Sequence, residues 1–306
     1  MAGRILIIRG GAIGDFILTL PAIRLIRQNL PETRIEVLGY PGIAQLALDP
    51  DHADAVHSIE YAPLARFFSR KPELDPAMVK FFTGFQQIVS YLYDPDGIFE
   101  ENLRAAGVKN LLVGPGKLSD DLHAVQQLAR PLEKLAFFLE DAAPRFSPSE
   151  KDHASAENFH PSSSGFIALH PGSGGKKKNW PVQNWMELAS VLQAAGHKLL
   201  LVGGEAEEET LRVLEQKLHI PVVRHLPLRT LGALLHRSRL FIGHDSGISH
   251  LAAASGVRCL LLFGPTDPDI WAPLNSGVEI LSAPEGTMES LALDTVRDRV
   301  EALLKN

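Results

Sequence analysis

The segment from Arg239 to Pro268, RLFIGHDSGISHLAAASGVRCLLLFGPTDP, limits the possible folds more than any other stretch. Leu240 to Ile242 is an apolar run too short for a helix, and Gly243-His244-Asp245-Ser246-Gly247 interrupts it. Ile248 to Ser255 then reads as a short alanine-rich helix, Gly256 stands where a left-handed cap belongs, and Val257 to Phe263 is a second strand. Such a unit builds a parallel sheet. It also aims the free N–H groups and positive dipole end of its helix beyond the carboxyl edge of that sheet, where an anion such as a phosphate is attracted.

The N-terminal part repeats the pattern. Ile5 to Ile8 is a continuous apolar run, Gly10 to Asp15 breaks it, and Phe16 to Leu30 reads as a helix that Pro21 kinks or restarts. Strands are expected at Ile35 to Leu38, Val56 to Ile59, Ile88 to Tyr91 and Leu111 to Val113. His123 to Glu140 has apolar residues at helical spacing, from Val125 to Phe138, despite Pro131. Residues 61 to 84 mix basic and aromatic side chains. They read either as a surface that meets a membrane or amphiphile, or as an ordinary helix with a buried aromatic face.

Between Ala142 and Gly165 the composition shifts to Pro, Ser, Ala and charge, as in an interdomain linker. The domain boundary is expected there, dividing the chain into 1–160 and 161–306. The α/β rhythm resumes at Phe166 to Leu169 and runs through five strand-helix steps. Pro181 as first helical residue and Gly196 just past the end bracket one helix, and Leu291 to Leu304 forms the last, with Asp294 as its N-cap.

Composition removes several classes. A net charge of -6 without a basic stripe argues against nucleic acid as a partner. One cysteine, Cys259 in an apolar strand, excludes a disulfide framework. No apolar run reaches the ~18 to 20 residues of a membrane span, and no leader is evident, so a cytoplasmic protein with no transmembrane segment is expected.

Three glycine-rich turns follow strands, at Gly10 to Gly14, Gly172 to Gly175 and Gly243 to Gly247. The first lacks the dinucleotide spacing, and the second strand ends without an acid for a ribose hydroxyl, which disfavours nicotinamide and flavin cofactors. Lys176-Lys177-Lys178 lies in a turn before a helix, where a lysine can face a diphosphate. Asp15 opens a helix and reads either as its N-cap or as a general base. Asp245 is expected to bond ribose hydroxyls, backbone N–H groups or Lys178. Asp-Pro-Asp at 49–51, 94–96 and 267–269 reads as turns more readily than as metal ligands, and no metal site is expected.

Taken together, Arg9 to Pro21, the Lys178-Asn179-Trp180-Pro181 turn and the run Asp245 to Ala253 resemble glycosyltransferase family 9, the bacterial heptosyltransferases of lipopolysaccharide core assembly. The resemblance spans nearly the whole chain. It implies an α/β protein of GT-B architecture, with two Rossmann-like α/β domains facing a central cleft. The acceptor would bind residues 1–160 and the nucleotide sugar residues 161–306, with a last helix that can return to the first domain.

By the same resemblance Asp15 is the catalytic base and Lys178 contacts the donor diphosphate. Asp245, Ser246, Gly247 and His250 form the donor loop, and Ser173 supplies a hydroxyl near the phosphates. An acid after Gly204 meets the ribose, with Glu205, Glu207 and Glu208 competing and Glu208 chosen, and Leu226 lies where adenine meets backbone groups. Ala12 and Gly174 depart from the family pattern and leave the exact sugar and acceptor open. The implied reaction is an inverting, metal-independent transfer of a heptose or related sugar from a nucleoside diphosphate sugar, ADP-heptose first among them. No cofactor is implied, and the acceptor is a lipid-linked saccharide at the inner face of the inner membrane. A sugar-nucleotide epimerase and a non-catalytic nucleotide-binding module are the rival readings.

Overall fold

A computed structural model describes residues 3–159, 165–204 and 207–305. The chain divides into two compact units, Met1–Ala142 and Ala143–Asn306. The boundary expected at 160/161 falls outside the described residues, as does Glu205. The observed division lies upstream of it because the Pro- and Ser-rich stretch is built into the second unit. Ser149 caps a helix, Glu150–Glu157, in a capping box with Asp152. Asp152 in turn accepts from Arg229 Nε at 3.0 Å and Nη2 at 2.7 Å, which fastens that helix to the helix Leu228–Leu235. Upstream, the Phe146 N–H donates to the Ala254 carbonyl at 2.9 Å.

The first unit contains β1 (Arg4–Arg9), β2 (Arg34–Gly39), β3 (Ala55–Ser58), β4 (Gln87–Ser90) and β5 (Leu111–Val113). They form one parallel sheet in the order β3-β2-β1-β4-β5. The apolar runs are continuous because β1 and β2 are covered on both faces, and Ile5 to Ile8 are buried. The helix after β1 does restart: Ile13–Ile17 is followed by Leu20–Asn29, with Pro21 in its first turn, where a missing N–H is tolerated. On one face of the sheet Phe67, Phe82 and Phe99 form an edge-to-face cluster, so the aromatic stretch at 61–84 supplies core, with Phe68 left at the surface.

The helix expected over His123 to Glu140 is shorter. It runs Ala124–Ala129, tightens into a 3-10 turn, Arg130–Leu135, and ends at Ala136 with φ 60°. Pro131 cannot donate to the carbonyl four residues back, so the α ladder stops there. Phe138, placed by periodicity on the buried face, is 64% exposed.

The second unit contains β6 (Ile167–His170), β7 (Leu199–Gly203), β8 (Val222–Arg224), β9 (Leu240–His244), β10 (Cys259–Phe263) and β11 (Val278–Ser282). All pair in parallel in the order β11-β10-β9-β6-β7-β8. β11 is an unexpected strand, a half-buried edge that pairs Val278 with Cys259. Gly196 and Gly256 take φ 83° and 78°, the left-handed caps the sequence implied. Pro181 is the N-cap of Val182–Ala194, one position before its expected place.

The last helix runs Leu293–Lys305, so Asp294 lies inside its first turn, where it pairs with Arg297, and is not the N-cap. Val296, Val300 and Leu303 join the core of this same unit, beside Trp185 and Leu188. Cys259 is buried, and burial pushes its thiol pKa up.

Candidate active site

In each sheet the strand order reverses once, between β1 and β4 in the first unit and between β6 and β9 in the second. A parallel α/β sheet opens a crevice outside the carboxyl ends of its strands at such a point. Asp15, Ser173, Lys178, Asp245 and Ser246 lie on the loops at these two points, and Glu208 and Leu226 follow the next strands along the second sheet, β7 and β8.

At the first, Asp15 is the third residue of the helix Ile13–Ile17, whose N-cap is Ala12. The N-cap expectation for Asp15 is corrected accordingly. Its Oδ2 reaches back to accept the Ala12 N–H at 3.1 Å, as the third helical residue does in a capping box. Gly11, at φ 97°, makes room: a Cβ there would stand 3.0 Å from that oxygen. The Asp15 side chain is 37% exposed, so one face of the carboxylate is open to solvent.

Behind it lies a residue that the sequence reading did not single out. Arg9, the last residue of β1, is buried, and it donates from Nη1 to the Tyr91 carbonyl at 3.2 Å and from Nη2 to the Asp15 carbonyl at 3.3 Å. The same Nη2 is 4.0 Å from Asp15 Oδ1. Burial lowers the Arg9 pKa, and the Asp15 charge opposes that shift. The guanidinium therefore bridges the loops after β1 and β4 and fixes the helix that carries Asp15. A cation ending an apolar run reads as a solvated flank in sequence, which is why it was missed.

At the second crevice Lys178 closes the 3-10 turn Lys176–Lys178, and its Nζ is 2.6 Å from Asp245 Oδ2. Thr266 donates its hydroxyl to the same oxygen at 2.8 Å, so the loops after β6, β9 and β10 meet on one carboxylate. This is one of the pairings expected for Asp245. Ser246 caps the helix Gly247–Ala254, its Oγ accepting the Ser249 N–H at 3.2 Å. His250 lies buried within that helix. Ser173 is buried, and its hydroxyl faces Asn179 Oδ1 at 3.0 Å, which shapes the loop before Lys178.

Two buried histidines support this floor. His244, at the end of β9, accepts the Trp180 N–H on Nε2 at 2.8 Å. Burial, then the neighbouring His170, push its pKa down to about 3. His170, at the end of β6, is pushed by burial down to about 4, against the pull of Glu207. Both rings are neutral at pH 7.

The acids after Gly204 separate clearly. Glu208 opens the helix Glu208–Leu218 from an exposed position and pairs with Arg224 Nε at 3.2 Å. Glu207 is buried, accepts the Gly204 N–H on Oε2 at 2.8 Å and has Oε1 3.9 Å from His170 Nε2. A Cβ on Gly172 would meet Glu207 Cγ at 2.5 Å, so Glu207 fills the gap between the loops after β6 and β7. Geometry thus favours Glu207 over Glu208 as the carboxylate within the loop cluster. Leu226 is half-buried after β8, between His225 at φ 53° and Pro227.

The Asp-Pro-Asp segments are turns and caps. Asp267 caps Pro268–Trp271, Asp94 accepts the N–H groups of Phe99 and Glu100, and Asp49 accepts from Asp51. No cluster of three or more His, Cys, Asp or Glu suited to a metal ion occurs among the described residues. No helix among them is long and apolar enough to cross a membrane.

A family model described as glycosyltransferase family 9 (heptosyltransferase) matches residues 118–299. Lipopolysaccharide heptosyltransferase 1 of Escherichia coli O18:K1:H7 is 26% identical over 325 residues, covering 97% of this chain and 97% of that protein. A glycosyl transferase family 9 structure from Veillonella parvula aligns with a TM-score of 0.82 at 17% identity, covering 99% of this chain and 97% of the other. The E. coli heptosyltransferase WaaC with ADP gives 0.75 at 18% identity, with 98% and 99% covered. These structural likenesses concern the fold, which is the GT-B architecture of two Rossmann-like α/β units.

Proposed function

The chain belongs to glycosyltransferase family 9, and on that premise we propose that this glycosyltransferase moves a heptose from ADP-heptose to a saccharide of the lipopolysaccharide core, with inversion at the anomeric carbon. The first unit serves the acceptor and the second the donor. Asp15 takes the proton of an acceptor hydroxyl as that oxygen attacks the anomeric carbon. The bond from that carbon to the diphosphate breaks, and ADP leaves with the electron pair. A carboxylate backed by a fixed guanidinium and open on one face suits a general base.

Lys178 and the helix end at Ser246 compensate the charge that grows on the leaving diphosphate. These groups supply that compensation without a metal ion. Asp245 orients Lys178, Ser173 shapes the phosphate loop, Gly247 allows close backbone approach, and His250 lies one turn along the same helix. Glu207 takes the ribose role first given to Glu208, because it lies within the loop cluster while Glu208 is held outside by Arg224. Adenine would meet backbone groups near Leu226. The lipid-linked acceptor brings the enzyme to the inner face of the inner membrane as a peripheral protein.

The observation that carries this reading is that each unit presents its chemistry at its own sheet's switch point, a half-open carboxylate in one and a lysine with an anion-binding helix end in the other. The test is product analysis with ADP-heptose, UDP-sugars and GDP-sugars, each with and without lipopolysaccharide from a heptose-deficient bacterium. ADP-heptose should be consumed only with the acceptor present. Consumption of donor alone would indicate epimerase chemistry, and no consumption of any donor would leave a binding module.

A further inference from the structure

All four tyrosines of the chain lie past the carboxyl ends of three strands of the first sheet, Tyr40 after β2, Tyr61 after β3, Tyr91 and Tyr93 after β4, and β2 and β4 flank β1 on either side. In a parallel sheet those ends share one edge, and it is the edge that carries Gly10 to Asp15 after β1. Tyr91 is used by the fold, its hydroxyl donating to the Leu128 carbonyl at 2.8 Å. The other three are 43%, 58% and 66% exposed at positions 40, 61 and 93.

Their backbones are held firmly. Tyr40 and Tyr61 each occupy the N-cap of a short helical turn with a proline in its first two positions, Pro41 and Pro63, and a Cβ on Gly116 would strike the Tyr93 Cα at 2.6 Å. The Tyr40 ring borders the loop to Asp15, since a Cβ on Gly10 would come within 3.9 Å of it. Tyrosine offers a broad, rigid apolar face with a polar tip at little cost in side-chain entropy. Glu60 beside Tyr61, Asp96 near Tyr93 and Lys117 beside Gly116 are all exposed, so the flanking charges are of both signs and the three phenols supply the broad faces that a ring rich in hydroxyl groups can lie on.

We propose that Tyr40, Tyr61 and Tyr93 form the platform for the sugar rings of the acceptor. The C–H faces of a pyranose lie on the phenol rings, its hydroxyls bond the phenol O–H groups, and the hydroxyl to be glycosylated points at Asp15. This assignment rests on the reading of Asp15 as the base.

The test is saturation-transfer NMR with de-acylated lipopolysaccharide from a heptose-deficient bacterium, which reads binding independently of turnover. Saturation should reach the pyranose ring protons in the wild-type protein and in Asp15→Asn. Tyr40→Ala and Tyr93→Ala should weaken binding about tenfold each, with Tyr40→Phe and Tyr93→Phe retaining most of it. ADP affinity should be unchanged in all four, which shows that the fold is intact. Wild-type-like saturation in the alanine variants, absence of saturation in the wild type, or a selective loss of ADP binding would overturn the platform. Saturation without any heptosyl transfer would overturn the proposed reaction and leave the platform standing.

Discussion

The Lys178 ammonium stands 2.6 Å from Asp245 Oδ2, and the Thr266 hydroxyl donates to the same oxygen at 2.8 Å. One carboxylate thus fixes a lysine from the loop after β6 against the loops after β9 and β10. On the proposed donor role, removing the lysine deletes a charge-assisted contact to the diphosphate, worth about 1.5 to 3 kcal/mol. Lys178→Ala should weaken ADP binding about 10- to 100-fold in calorimetry. An unchanged affinity would remove Lys178 from the donor site.

Glu207 and Glu208 are adjacent in sequence and separated in environment. Glu207→Gln should lower affinity for ADP about tenfold, through loss of a charged acceptor for ribose hydroxyls. Glu208→Gln, which loses a pairing with Arg224 at an exposed position, should bind ADP as the wild type does. The opposite ranking would restore the assignment first read from the sequence.

That pair shows where sequence stops being informative. A helix boundary displaced by one residue turns Glu207 inward and Glu208 outward, and no propensity resolves such a shift. Periodicity likewise carried the helix after His123 through Pro131, because the pattern of apolar residues does not register a lost N–H donor. β11 escaped notice as an edge strand of mixed polarity. By contrast, the unit from Arg239 to Pro268 was legible to the residue at Gly256, since a strand, a glycine turn and a left-handed cap are each imposed by local chemistry. The helix Glu150–Glu157 carried a readable signal in Ser149 and Asp152, which the surrounding prolines and serines obscured.

Arg9 holds the Asp15 backbone, so in the proposed reaction its effect runs through Asp15. Arg9→Lys keeps a charge but cannot reach both the Tyr91 and Asp15 carbonyls in the fixed geometry of a guanidinium. A misplaced base lowers kcat, by about 10- to 100-fold, while KM for the donor stays near the wild-type value. Steady-state kinetics on both substrates checks this. A change confined to donor KM would contradict it.

His170 and His244 make the second unit acid-labile. Their pKa values, about 4 and about 3, lie below the unfolded value near 6.5. The unfolded chain therefore binds more protons below pH 6.5, and the stability these rings confer is full above that pH and lost as pH falls toward 4. Each contributes a slope of up to about 1.4 kcal/mol per pH unit in that window. The three tryptophans, Trp180, Trp185 and Trp271, all lie in this unit, so urea unfolding followed by their fluorescence at pH 7.5, 6 and 5 reads it directly. His244→Gln, which retains an acceptor for the Trp180 N–H, should flatten the slope.

The central claim is that Asp15 is the base of a glycosyl transfer. It is tested most directly by the rate of heptosyl transfer from ADP-heptose in Asp15→Asn, an isosteric change that keeps an acceptor for the Ala12 N–H. The account predicts a fall in kcat of about 100-fold or more with ADP affinity unchanged. Transfer at a near-normal rate would contradict it.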